Sequence, residues 1–280
     1  MSLDSETCSE NGFLSAINES LLDKAWQRVR SRGDAPGIDG IDLPIFESDL
    51  SANLGALLSD LKSGNYCPQA YRSVDIPKED GGYRRIVIAT LRDRVLQTAA
   101  AFVLQPMIEP LLLSCCYAYR KGIGVQDALL KVAQLRDTGQ PFVLRADIER
   151  FFDSVRHPIL FSLLRRIGIC EEWIGMIGKW LAARILPQDQ HSTDLIGLPQ
   201  GLPISPLLAN LYLTDFDRSL TDSGWSLVRY ADDIAVCCNS PESAEQASEE
   251  ADKALSLLCL RLSSTKTRVE IFQKGFIFLG

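Results

Sequence analysis

Apolar residues recur at three-to-four spacing over residues 13–32 (Leu14, Ile17, Leu21, Leu22, Ala25, Trp26, Val29), which predicts an amphipathic helix closed by Gly33. A second such pattern runs from Phe46 to Leu61 and stops at Gly64; a turn-rich loop over residues 34–40 separates the two. The period then changes. Val74–Lys78 and Arg84–Ile88 read as strands, and Glu79-Asp80-Gly81-Gly82 joins them as a hairpin. Helices are predicted over Arg92–Leu104 and Val125–Leu135, with a loop over Ala118–Gly124. Phe142–Ile148 is an apolar strand that delivers an acid, Asp147, at its end. Pro158–Leu186 reads as mostly helical, divided near Gly168. A glycine- and proline-punctuated loop, Gly197–Pro206, opens an apolar helix from Leu207. In Leu227–Val236 two short apolar runs flank Asp232 and Asp233, a hairpin with the two acids at its tip. Pro241–Leu260 is an amphipathic helix with an acidic outer face; a segment carrying Lys266 and the apolar run Phe276–Gly280 follow. Helices and strands in this mixed order predict an α+β fold.

Composition narrows the class. The chain has 280 residues, 46% of them hydrophobic, enough for a sizeable core. The richest apolar run, Ala99–Leu113, is broken by Gln105, Pro106, Glu109 and Pro110, so a membrane span is not expected. The first ten residues are polar and acidic, unlike a secretory signal, and the expected location is cytoplasmic. Eight cysteines without a C-x-x-C, and only two histidines, argue for reduced thiols rather than zinc. The net charge is −7, which on its own argues against nucleic acid. The distribution is uneven, however. Residues 1–60 hold eleven acids and four bases (−7), whereas residues 61–150 hold thirteen bases and nine acids (+4).

Three carboxylates at strand ends are the candidate chemistry. Adjacent Asp232 and Asp233 repel each other, and a tip of this kind is best stabilised by a hard cation, Mg²⁺ or Mn²⁺. If the strand ending at Asp147 pairs with the hairpin, the three converge, and such a cluster suits two ions and in-line phosphoryl transfer. Lys78 and Arg84, at the base of the first hairpin, could face one anion; the stiff loop places Gln200 and Gly201; Lys266 could protonate a departing pyrophosphate. Each part also has an ordinary reading taken alone. The acids can be a solvated turn, Asp147 a helix cap, Lys78 and Arg84 a charged hairpin, and the Gln200 loop a helix start. Together they have one joint explanation, a template-directed polymerase palm.

The motifs resemble those of reverse transcriptases. Tyr230-Ala231-Asp232-Asp233 is similar to the family's catalytic motif, Ala146–Asp153 to its first catalytic motif, and Gly197–Pro206 to its template and nucleotide-pocket motif. Ile76-Pro77-Lys78 through Arg94, Lys266-Thr267 and Phe278-Leu279-Gly280 follow in family order, and Ala35–Gly40 resembles the bacterial group II intron-like branch, which includes CRISPR-associated members. The resemblance implies right-hand fingers and palm with an antiparallel palm sheet backed by helices. It places an N-terminal extension at 1–60, fingers at 61–90 and 157–195, and palm at 91–156 and 196–280. It also implies two Mg²⁺ ions, with Mn²⁺ as a substitute, held by Asp147, Asp232, Asp233 and the Ile148 carbonyl. Phe152 would be a steric gate favouring dNTPs, unless it is plain core. Lys78, Arg84, Gln200 and Gly201 would bind the nucleotide, and Lys266 would be the general acid. The partners implied are an RNA template, a DNA or RNA primer and dNTPs.

The family pattern continues past Phe-Leu-Gly into a helical thumb, and this sequence stops at Gly280. The expectation is therefore a thumb that is absent here and supplied by a further domain or another protein, with intron RNA or a CRISPR integrase as candidate partners. The competing expectation is a polymerase-derived binding module that is inactive without that partner.

Overall fold

The computed structural model describes residues 12–33, 35–77, 81–186 and 196–279. The fold mixes helices with two sheets, as the sequence predicts. The chain divides into two compact units, Met1–Met107 with Phe161–Pro206, and Ile108–Leu160 with Leu207–Gly280.

In the first unit the predicted helix over 13–32 is two helices, Phe13–Ala16 and Glu19–Arg30. Asn18 makes the break: its side chain accepts from the Leu21 amide at 2.9 Å and caps the second helix. The predicted 46–61 helix likewise begins earlier and splits at Asp49 into Leu43–Ser48 and Leu50–Lys62. β1 (Tyr71–Pro77) and β2 (Tyr83–Ile88) form the expected antiparallel hairpin, with Ile76 opposite Arg84. The helix after it runs Leu91–Ile108 and tolerates Pro106 in its last turn. Gly168, at φ +82°, divides His157–Arg166 from Glu171–Leu181. The helical reading fails at its far end. Ile185–Leu186 is a strand, parallel to β1, because the Arg184 carbonyl accepts the Tyr71 amide at 2.7 Å.

The core of this unit is aromatic. Phe13 meets Trp173 edge-on at 4.6 Å, and Trp26 stacks on Phe46 at 4.9 Å. A buried polar chain threads it: Trp180 donates from Nε1 to the Tyr66 hydroxyl, which donates at 2.7 Å to Asp93. The Gln69 amide reaches the other Asp93 oxygen at 3.0 Å.

The second unit is built on a four-stranded antiparallel sheet. With the two-residue strand Ile185–Leu186 counted as β4, it comprises β3 (Phe142–Asp147), β5 (Ser226–Tyr230), β6 (Asp233–Cys238) and β7 (Arg268–Ile271), in the order β5-β6-β3-β7. Helix Val125–Asp137 covers one face: Ala128 and Val132 pack with Val143, Val228, Ala235, Cys237 and Phe278. Helix Pro241–Ser256 presents Ala244, Ala247, Ala251 and Leu255 and packs on β3 and β6. Cys115, Cys116, Cys237 and Cys238 are buried thiols, in keeping with the reduced reading. Among the described residues no helix is long and apolar enough to cross a membrane.

Candidate active site

The register of the second sheet brings the acids together. β3 and β6 pair with Asp147 directly opposite Asp233, and β5 closes on β6 with Tyr230 opposite Asp233. Side chains alternate faces along a strand. Val143, Arg145 and Asp147 therefore share a face with Cys237, Ala235 and Asp233. That face is apolar where the helix covers it and acidic at its end. The turn itself is Ala231-Asp232, one residue earlier than the predicted tip, because Asp233 is already the first residue of β6. Ala231 adopts a left-handed φ of +58°. The Asp232 carbonyl accepts the Ile148 amide at 3.1 Å, which ties the turn to the residue after Asp147.

Electrostatics mark the spot. The Asp233 carboxyl is raised to about 6, chiefly by burial; Asp232 and Asp147 act in the same direction, and Lys266 and Arg145 offset part of the rise. Lys266 sits in a turn after Ser263, whose amide donates to the Asp147 carbonyl at 2.8 Å. Its Nζ donates to Asp147 Oδ2 at 2.9 Å, and that hydrogen bond holds the ammonium above its usual range. A cation already stands where a carboxylate oxygen needs one. Among the described residues no three acidic, histidine or cysteine side chains are gathered closely enough to hold a metal ion, and Asp147 is paired to the Lys266 ammonium. The oxygen-only donor set of Asp147, Asp232 and Asp233 is the type that a hard divalent ion takes.

Ile148 is fully buried behind the turn. Phe152 lies on the short helix Phe151–Ser154, entered through Arg150 at φ +45°. Its neighbour Phe151 takes the core position, 1% exposed, with the two rings 5.3 Å apart and Phe152 half-buried.

In the first unit, Arg84 is exposed on β2. The Gln200 loop docks three residues further along the same strand: the Gln200 carbonyl accepts the Val87 amide at 2.7 Å. Gly201 has φ +110°, and a Cβ there would overlap the Val87 carbonyl, so the loop requires glycine. Lys78 lies outside the described residues.

Sequence reasoning missed a buried network beneath the turn. Arg229, on β5, is fully buried and grips Asp217 with two hydrogen bonds of 2.6 Å. The detectable signal was an arginine inside the apolar run Leu227-Val228-Arg229.

Comparison with known proteins bears on these motifs. Residues 76–280 match the family model "Reverse transcriptase (RNA-dependent DNA polymerase)". Protein YkfC of Escherichia coli K12 is 29% identical over 302 residues, covering 94% of this chain and 79% of YkfC. The group II intron-encoded protein LtrA of Lactococcus lactis subsp. cremoris is 30% identical over 163 residues, covering 58% of this chain and 27% of LtrA. A solved structure described as a partial Cas6-RT-Cas1–Cas2 complex aligns with a TM-score of 0.52 at 30% identity, over 88% of this chain and 42% of that one. The chain thus spans under half of the solved chain and about a quarter of the intron-encoded relative. On the family match and the order of its motifs, this chain belongs to the reverse transcriptase family, with group II intron-encoded proteins and a Cas6-RT-Cas1 chain among its relatives.

Proposed function

We propose that the protein is an RNA-directed DNA polymerase that adds dNTPs to a primer 3′-hydroxyl on an RNA template. One observation supports this above the rest: the β3–β6 register that sets Asp147 against Asp233 beside Asp232, within the family-matched segment. In this reading residues 61–90 and 157–195 are the fingers, and residues 91–156 and 196–280, which carry the second unit's sheet, are the palm. Residues 1–60 are an N-terminal extension.

Asp147, Asp232 and Asp233, with the Ile148 carbonyl, would hold two Mg²⁺ or Mn²⁺ ions. When bound, those ions activate the attacking hydroxyl and neutralise the charge that develops on the leaving pyrophosphate. The chain's own residues prepare that place. The paired strands fix the carboxylates before substrate arrives, so little reorganisation is needed at the moment of reaction. Lys266 keeps its proton through the contact with Asp147 and is the assigned general acid for pyrophosphate. Phe152, left half-buried because Phe151 fills the core, is assigned to crowd a ribose 2′-hydroxyl. Arg84, Gln200 and Gly201, with Lys78, are assigned to the incoming nucleotide by the family motifs. The protein would work in the cytoplasm, with an RNA template, a DNA or RNA primer, and intron RNA or a CRISPR integrase as its candidate larger partner.

The test is primer extension on an RNA template with each dNTP and Mg²⁺, in wild type and Asp232→Ala. The expected loss is about 10³-fold with an unchanged circular-dichroism spectrum and a melting temperature no lower than that of the wild type. An Asp232→Ala protein that still incorporates dNTPs overturns the metal assignment.

A further inference from the structure

The turn that carries Asp232 is strained. Tyr230 pairs with Asp233, which leaves Ala231 and Asp232 as a two-residue connection, and Ala231 holds φ +58°. Hairpins with a positive φ at the first central residue favour glycine there, because an L side chain crowds the backbone. Something must hold this alanine in place, and the contacts beneath it show what does. Arg229 uses Nε and Nη2 on the two Asp217 oxygens, both at 2.6 Å. Its remaining nitrogen, Nη1, donates to the Ala231 carbonyl at 3.0 Å and to Asn210 Oδ1 at 3.3 Å.

Each partner is itself anchored. Asp217 belongs to helix Thr214–Asp222 and is fully buried. Asn210, on helix Ser205–Tyr212, donates from Nδ2 to the Ala118 carbonyl at 2.8 Å. The Arg229 backbone is held on its free edge as well: its amide donates to the Cys115 carbonyl at 2.7 Å, and its carbonyl accepts the Tyr117 amide at 2.9 Å. A guanidinium is planar and forked, so fixing two nitrogens on one carboxylate fixes the direction of the third.

We infer that Arg229 is a positioning residue for the polymerase site, a buried clamp from helix Thr214–Asp222 that holds the Ala231 carbonyl and so sets the orientation of Asp232. The inference rests on the proposed polymerase function for its kinetic consequence, and on geometry alone for the clamp. Arg229 touches no reacting atom. A merely structural ion pair would contribute to stability and leave the turn and the chemical step alone.

The experiment removes the clamp without stranding a buried charge. The paired replacement Asp217→Leu with Arg229→Met keeps the volume apolar and is expected to fold, since matched apolar replacement of a buried ion pair is commonly tolerated. Hydrogen exchange of the peptide spanning residues 230–236 should speed up about tenfold or more while the rest of β3 and β6 is unchanged. In primer extension kcat should fall about 10²-fold with the dNTP KM little changed, the signature of lost positioning. Adding Ala231→Gly, which accepts a positive φ without strain, should recover much of that kcat. Arg229→Lys provides a second reading if the paired variant unfolds: it keeps the charge beside Asp217, but one ammonium cannot serve Asp217 and Ala231 in the same geometry. Unchanged turn exchange in a folded variant, or full kcat in the paired variant, overturns the clamp. Wild-type protein that extends no primer overturns the polymerase reading alone, and the exchange measurement still decides the clamp.

Discussion

Asp93 in the first unit and the half-buried Asp233 in the second are both raised chiefly by burial, and they are otherwise opposites. Asp93 is 1% exposed and satisfied: the Tyr66 hydroxyl, the Gln69 amide and the nearby Arg92 all lower it, without cancelling the effect of burial. Asp233 has carboxylates for company. Asp232 and Asp147 add to the effect of burial, and the offsetting cations, Lys266 and Arg145, act on it through charge rather than a hydrogen bond. Burial alone therefore does not mark a site. Asp93 is a strut whose partners complete it within the fold, whereas Asp233 is held in a state that a cation from outside would relieve.

The comparison is broken most sharply at Asp93. Asp93→Ala strands the Tyr66 hydroxyl in the core and removes the acceptor of the part-buried Gln69 amide, and should destabilise the protein by about 2–4 kcal/mol in denaturant melts. Mn²⁺ binding to the folded fraction should be unchanged; weakened binding would make Asp93 part of the site and void the contrast.

Asp233→Asn should act in the other direction. It removes one like charge from a crowded place, so the metal-free protein should gain about 1–2 kcal/mol, after discounting the shift for partial exposure. Primer extension should be lost in the same variant. A variant that is both less stable and active would show that Asp233 is a structural acid like Asp93.

The smallest effect is the pH dependence. The folded-state carboxyl of Asp233 lies near 6, above its value of 3.8 in the unfolded chain, so the folded state binds this proton more tightly. The contribution of this group to stability is thus fullest below pH 3.8 and is lost as pH rises towards and through 6. A bound divalent ion needs the carboxylate and reverses that slope. The Mn²⁺-induced rise in melting temperature should therefore be larger at pH 8 than at pH 5; equal rises at the two values would detach Asp233 from the metal.

Much of the second unit could be read directly from the chain. β3, β5 and β6 are short apolar runs between turn residues, and the acids at their ends stood out against them. The pairing of Asp147 with Asp233 was not readable, because it depends on the register of strands 86 residues apart in sequence, counted from 147 to 233. β7 was missed because Arg268–Ile271 is an edge strand of four residues, too short for its alternation of charged and apolar residues to stand out. In the first unit, the breaks at Asn18 and Asp49 were hidden because helical spacing persists across both. Arg229 was visible as an arginine in an apolar strand, but its partners Asp217 and Asn210 lie on other helices and give no local signal.

The β3–β6 register has a consequence for folding. A slip of one residue would turn the whole face of β3 over, carrying Arg145 and Asp147 from beside Ala235 and Asp233 towards the alanine-rich surface of helix Pro241–Ser256. Two charges would then be buried against methyl groups, and Val143 would leave its place beside Ala128 and Val132. The apolar half of the sheet thereby works as a ruler for the acidic half. A chain that packs Val143 and Cys237 correctly has already measured out the distance between its carboxylates, and a chain that mispacks them never presents a half-built site.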